Sequence, residues 1–404
     1  MSTTMLQHTQ RIRGFQHRRH EYSPKKILWV ICRKRFQCHR CGSEKLHREV
    51  VRIRRVQGLP VGNAQTYFEF KVHRLYCYSC GRRMIEQFHF LSSPKARITK
   101  ELERQIIEDR HEMSIRSVAA QYHLRWELVK EVEKRYLQRK YAHTPSAHVK
   151  RIGIDEIHIG TNPDRTQHYL TIVRDLESGG VIHVGDGKGI VALEGLAPKL
   201  RKRNLKVVAM DMSNAYSSWF AAHFPKTRIV FDHFHVIKLM TERLDRLRRR
   251  YVAELDASQR QQFKRLRMLF LRNIEDLDED GRLILCNMRK HFSELADAHM
   301  LKEGLRSIYA TAGNALEARA AFRRWATAAI ATGSREMIAM AKTIREKLSG
   351  IITYWTFDRL SNASTEGFNN KIRWLMRQAY GFREHSYLKL KIFQLPSIRA
   401  RKDV

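Results

Sequence analysis

The side chains of this chain best suited to chemistry fall into two groups, one of thiols and one of acids. Four of the six cysteines form matched pairs, Cys38-His-Arg-Cys41 and Cys77-Tyr-Ser-Cys80, each followed by glycine. In a reducing compartment such pairs point to metal rather than to disulfides. Four thiolates close a tetrahedron around one Zn²⁺ and leave no open position, so that site is structural. A redox dithiol is the alternative, and the second matched pair argues against it. His39, His47 and His73 are reserve ligands only. Gly42 and Gly81 suit tight knuckles in which the backbone takes positive φ.

The acids are more scattered. Arg151-Ile-Gly-Ile-Asp155-Glu-Ile-His-Ile-Gly160 is nearly continuous in apolar β-formers, the pattern of a strand buried on both faces. A carboxylate there loses hydration and needs a cation, either an ion-pair partner or a metal at the edge of the core. Alternation does not choose between Asp155 and Glu156, because each shares a face with isoleucines. Asp211 ends the run Leu205–Met210, at the carboxyl tip of a strand, where open α/β sheets place their sites. Asp232-His-Phe-His235 follows a short strand, Arg228–Phe231. Glu366 lies in the first turns of a helix capped by Asn362 or Ser364. Asn369, Asn370 and Arg373 share its face, beside apolar Phe368, Ile372 and Leu375.

These residues need a scaffold. The strand at 151–160 is followed by a polar turn at 161–164, a strand at 168–174 and another at 181–184. Connections so short require antiparallel neighbours. Gly185-Asp-Gly-Lys-Gly189 lacks the spacing of a phosphate loop and reads as a turn into a helix over about 191–201. A fourth strand, a helix over about 215–223, the strand at 228–231 and a further helix complete an RNase H-like order. No proline occurs between Pro225 and Pro396, and amphipathic stretches such as Leu239–Leu255 and Phe263–Ile274 predict an all-α subdomain.

Ahead of this core, β-like runs at 50–53 and 67–72 join the two cysteine knuckles as in a zinc ribbon. Residues 1–30 are basic and predict no definite structure. Ser114 caps a helix with Ile115, Val118, Ala119 and Tyr122 on one face; Trp126, Val129 and Val132 face inward from the next. That is a helix-turn-helix pattern whose second helix offers Arg125, Glu127 and Lys130 to a major groove. Residues 142–150 read as a linker. Lysine and arginine number 76 against 41 acids, a formal charge of +35, so the expected partner is nucleic acid. No apolar run approaches the ~20 residues of a spanning helix, and no secretory signal stands at the N-terminus, so a cytoplasmic location is expected.

Gly153-Ile-Asp-Glu156, Asp232-His-Phe-His235 and Ser361-Asn-Ala-Ser-Thr-Glu-Gly-Phe-Asn369 together resemble the ISL3-type group of bacterial insertion-sequence DDE transposases. The resemblance spans roughly residues 35–395. It implies an α/β RNase H-like catalytic core with an all-α insertion, preceded by a small zinc ribbon and a helix-turn-helix. The expected parts are 1–92 (ribbon with basic arm), 93–145 (helix-turn-helix), 146–235 (first part of the core), 236–355 (helical insertion) and 356–404 (C-terminal helices carrying the Glu). The separation 366 − 211 = 155 residues leaves room for that insertion. Asp155, Asp211 and Glu366 are the implied catalytic triad, holding two Mg²⁺ (or Mn²⁺) ions, with His235 positioning a phosphate or an acid.

Two such ions about 3.5–4 Å apart activate water to free a 3′-hydroxyl, which then attacks target DNA. Hard oxygen ligands suit Mg²⁺ rather than zinc. Arg125, Lys130, Lys371 and Arg373 are the expected DNA contacts. The expected partner is double-stranded DNA, both terminal repeats and target, engaged by a homodimer or larger assembly in the nucleoid of a bacterial cytoplasm. The rival readings are a zinc-ribbon regulator on an inactive core and a structure-specific nuclease of the same fold.

Overall fold

The computed structural model describes residues 3–142, 149–161, 165–201, 204–256, 260, 263, 267–288 and 292–396. The expected linker lies mostly outside the described residues, as do 162–164 of the expected turn. The chain divides into two compact units, Met1–Ala142 and His143–Val404.

The first unit begins with a short helix, α1 (Thr3–His8), and then a hairpin, β1 (Phe15–Ser23) and β2 (Lys26–Arg33). The absence of definite structure expected for residues 1–30 is therefore corrected. Ile27, Trp29 and Ile31 alternate into the core although arginines and histidines surround them. Strand β2 pairs in parallel with β4 (Gln65–Cys77), which pairs antiparallel with β3 (Leu46–Gln57) and with short β5 (Arg83–Ile85). The ribbon is thus part of a five-stranded sheet of order β1-β2-β4-β3, with β5 on β4. One face buries Phe15, Trp29, Phe68, Phe70, Phe88 and Phe90.

Three helices follow in the same unit, α2 (Lys100–Asp109), α3 (Ile115–Gln121) and α4 (Trp126–Tyr141). The Ser114 side chain accepts from Ser117 N–H, the N-cap expected of it. Val118, Ala119, Tyr122, Val129 and Val132 form the buried seam. Trp126 departs from expectation: at the first helical position, ahead of that seam, it is half exposed.

The second unit is built on another five-stranded sheet. Strand β6 (Arg151–Thr161) pairs antiparallel with β7 (Gln167–Asp175), and β7 with β8 (Val181–Asp186). On its other side β6 runs parallel to β9 (Val207–Met210), and β9 parallel to β10 (Arg228–Phe231). The order is β10-β9-β6-β7-β8. The helix expected over 191–201 is split by Gly195 at φ +77° into a 3₁₀ turn, Ile190–Leu193, and α5 (Leu196–Leu200). Helix α6 (Asn214–His223) links β9 to β10.

The remainder is helical. Helix α7 (His233–Glu254) leaves β10 directly, with Asp232 as its N-cap. Then come α8 (Arg267–Leu271), a 3₁₀ turn at Ile274–Asp276, α9 (Glu279–Met288), α10 (Ser293–Thr311), α11 (Ala315–Ala331), α12 (Arg335–Thr356), α13 (Ala363–Gln378) and α14 (His385–Gln394). Residues 233–254 form one unbroken helix, so the boundary expected at 235/236 falls inside it. One face of the sheet packs Ile157, Leu170 and Ile172 against Phe368, Ile372, Leu388 and Ile392 of α13 and α14. Ile152, Ile154 and Val173 belong instead to the larger core shared with the other helices. No helix among the described residues is long and apolar enough to cross a membrane.

Candidate active site and the four-cysteine cluster

Sheet register brings the first two acids together. Strands β6 and β9 run parallel with Gly153 opposite Ala209. Two residues further along each chain stand Asp155 and Asp211, on neighbouring strands at the same level. The next strand over, β10, places Phe231 opposite Met210, and Asp232 then turns the chain into α7. One turn into that helix, His235 Nε2 lies 2.7 Å from Asp211 Oδ1. Ligand atoms of Asp155, Asp211 and His235 all fall within 4.8 Å of one another. Asp232 is buried and serves the fold, its Oδ1 accepting from Phe234 N–H at 3.3 Å.

Helix α13 covers the face of β6 that carries Asp155 and not the one that carries Glu156. Asp155 Oδ2 accepts from the Asn369 amide of α13 at 2.8 Å, and its Oδ1 accepts from Glu156 N–H at 2.8 Å. Glu156 instead accepts from the Tyr216 hydroxyl of α6 at 2.6 Å and lies 3.7 Å from Lys188. Adjacent residues of one strand point to opposite faces, so only one of the two acids meets Asp211.

Helix α13 is seated by close contacts. Asn362 donates to the backbone oxygen of Ile154 at 2.7 Å, and Arg174 donates to Ser364 O at 2.6 Å while lying over the Phe368 ring. Gly153 makes this possible: a Cβ there would stand 2.3 Å from Asn362 Oδ1 and 2.5 Å from Thr365 Oγ1. Asn369 is 1% exposed, and its amide oxygen is buried with no hydrogen-bond partner among the described residues.

Electrostatics mark the cluster as short of positive charge. Burial, then the Asp211 charge, push the Asp155 carboxyl up to about 6; Glu366 adds to the rise, while the Glu156 N–H and His235 oppose it. Burial works against a charged His235, but its hydrogen bond to Asp211 and the charges of Asp211, Asp232 and Asp155 outweigh that and raise its pKa. Glu366 itself is exposed, in the first turn of α13, and stands outside the tight cluster. His235 takes the third place there, while Glu366 acts on Asp155 through its charge.

The four cysteines form a separate and more regular set. Cys38 and Cys80 sulfurs are 3.7 Å apart, Cys41 and Cys77 sulfurs 3.6 Å, and all four lie within 4.8 Å of one another. A tetrahedron of sulfurs about 2.3 Å from a central zinc has edges of about 3.8 Å, so the set fits that ion. Gly42 and Gly81 have φ of +72° and +68°, and each N–H returns to the first cysteine of its knuckle, at 2.9 and 2.8 Å. Backbone N–H groups of Cys41 and Arg40 lower the Cys38 pKa to about 6, favouring the thiolate. Two of the three reserve histidines have other contacts: His73 pairs with Glu86 at 2.8 Å, and His39 accepts from Gln87 N–H at 3.4 Å.

The expected DNA contacts are distributed over both units. Arg125 is exposed at the N-cap of α4, 3.5 Å from Glu127, and Lys130 is half-buried on the same helix. Lys371 and Arg373 are exposed on α13, where Arg373 donates to Asn370 at 2.6 Å.

Residues 152–392 match the model of a transposase family, the ISL3-type DDE group. The chain is 28% identical to the transposase for insertion sequence element IS1001 of Bordetella parapertussis over 362 residues, covering 88% of this chain and 87% of the relative. It is also 28% identical over 263 residues to the transposase for insertion sequence element IS1557 of Mycobacterium tuberculosis, covering 59% of this chain and 58% of that protein.

Proposed function

The chain belongs to the ISL3-type DDE transposase family, and from that premise we propose that it binds the ends of an insertion sequence and cuts and joins DNA strands there. The observation that carries this reading is the meeting of Asp155 and Asp211 on adjacent parallel strands, with His235 bonded to one acid and Asn369 to the other. Structural ion pairs do not need two acids driven together with so little compensation; a divalent-ion site does.

On this reading the second unit is an RNase H-like core carrying a helical insertion over 236–355. Asp155, Asp211 and Glu366 are its metal-binding carboxylates. Hard oxygen donors fit Mg²⁺ or Mn²⁺ better than zinc. Two such ions, when bound, supply Lewis-acid activation of the attacking oxygen and stabilisation of the leaving one. The protein's own groups do the positioning: His235 holds Asp211, Asn369 orients Asp155, and α13 carries Glu366 alongside. The cysteine knuckles hold one structural Zn²⁺, and the helix pair of the first unit contacts DNA. Paired ends call for a dimer or larger assembly, acting in the bacterial cytoplasm on nucleoid DNA.

The test is a strand-transfer assay with duplexes carrying the element's terminal sequences, with Mg²⁺ present or withheld. The transposase reading expects nicked ends and joined products, both dependent on the ion. Hydrolysis without joining would indicate a nuclease. Binding without cutting would indicate a regulator, the reading that the outlying position of Glu366 favours.

A further inference from the structure

The first unit contains a cleft in which Arg125, one of the expected DNA contacts, is joined by Arg55 and Arg97, which are not among those contacts. It has a volume of about 530 Å³, and residues of four separate segments line it. Strands β3 and β4 contribute Arg55, Gln57 and Tyr67; the segment before α2 contributes Arg97. The α3–α4 turn contributes His123, and the start of α4 contributes Arg125 and Glu127. Three arginines therefore converge from the ribbon sheet, the connecting segment and the helix pair, against one lining acid, Glu127.

The floor of the cleft is fixed by the backbone. Gln57 N–H donates to Arg97 O at 3.0 Å, Thr99 N–H donates to Gln57 O at 2.9 Å, and the Gln57 side chain donates to Tyr122 O at 2.7 Å. Gln57 is 6% exposed, so these bonds are shielded from water. They weld the sheet to the helices, so the backbone segments that carry the arginines are held in place relative to one another. The rims stay open: the Arg55 and Arg125 side chains are 58% and 78% exposed. Arg55 is also 2.9 Å from Glu69, an exposed pairing that water screens and a phosphate can displace.

We propose that this cleft grips the sugar-phosphate backbone of duplex DNA, so that ribbon and helix pair act as one DNA-binding head. The proposal rests on the DNA reading above and extends it. Its chemistry is that of guanidinium forks on phosphate oxygens, which fix orientation on the duplex without reading sequence. Three arginines on separate segments can each meet a different phosphate of one strand, and the salt slope distinguishes this from a single anion held by several of them.

The test uses the full-length, zinc-loaded protein and a short labelled duplex, with Kd measured across a series of NaCl concentrations. The variants are Arg97→Gln, Arg55→Gln and the double substitution. Arg55 and Arg97 are exposed, and Arg97 serves the fold through its backbone, so the thermal midpoint and zinc content should match the parent. We expect each single variant to weaken binding several-fold on any sequence and to reduce the slope of log K against log[salt] by about 0.9 per lost phosphate contact. The double variant should lose about twice that slope. Unchanged affinity and slope in the double variant overturn the cleft while leaving the wider DNA reading intact. A parent that binds no duplex at any salt overturns both. Inorganic phosphate binding that depends on Arg97, together with an unchanged duplex slope, marks a free-anion site and also overturns the proposal.

Discussion

The thiol cluster draws its ligands from two turns of four residues, whereas the acid cluster gathers Asp155 from the middle of β6, Asp211 from just past β9 and His235 from α7. In the first, every donor is alike and each glycine knuckle shapes its own half, so the set closes symmetrically. In the second, no segment forms the site alone. Asp155 meets Asp211 only because β6 and β9 pair in one register, and Asn369 reaches Asp155 only because α13 docks against Gly153. A closed set suits holding a fold together. An open, charge-poor set with one acid at its margin suits a substrate phosphate that must enter and leave.

The largest effect that tests this contrast is expected at the shared pair of acids. Asp155→Asn or Asp211→Asn should reduce ion-dependent cleavage of end duplexes by about 10³-fold or more while duplex binding stays at the parent level. A variant that cuts as well as the parent breaks the comparison.

At the closed site the loss should be of folding instead. Cys77, 0% exposed, replaced by serine should release the zinc and abolish cooperative unfolding of the first unit, since such ions contribute about 10–16 kcal/mol in small modules. Near-UV circular dichroism with metal analysis reads this, and persistence of the transition without zinc would place the stability elsewhere. Asn369→Ala should lower cleavage by about 10–100-fold, as removing a group that orients a metal ligand does. Asn370→Ala, on the exposed side of the same helix, is the control that should change little.

The smallest effect concerns pH. The Asp155 carboxyl rises from 3.8 unfolded to about 6 folded. In the metal-free protein its contribution to stability is full below about pH 4 and is lost as pH rises through about 6. A divalent ion competes with that proton. Mn²⁺ should therefore raise the melting temperature more at about pH 8 than at about pH 5, and the difference should shrink in Asp155→Asn to the part that the His235 proton supplies. Equal shifts at both pH values would remove the proton from the site.

Several parts of this architecture were legible without coordinates. The knuckle glycines, the Ser114 cap and the three short antiparallel strands follow from local rules of turn and pattern. The hairpin at 15–33 was hidden because its alternating Ile27, Trp29 and Ile31 sit among cationic residues. Helix 191–201 was overextended, because Gly195 breaks it with a left-handed residue rather than with a proline. The strand pattern alone left Asp155 and Glu156 equal, and Asp155 rested on the family resemblance. Both faces of β6 are apolar, and the deciding fact, which face receives α13, is tertiary. Likewise, helix phase alone does not reveal that Glu366 sits at the rim while Asn369, one turn on, is the residue that touches Asp155.

The bond from Asn362 to Ile154 joins positions 208 residues apart, and the bond from Asn369 to Asp155 joins positions 214 apart. A chain synthesised only through the first unit and the β-sheet therefore still lacks the helix that bonds to Asp155. Nascent and prematurely terminated products share that state.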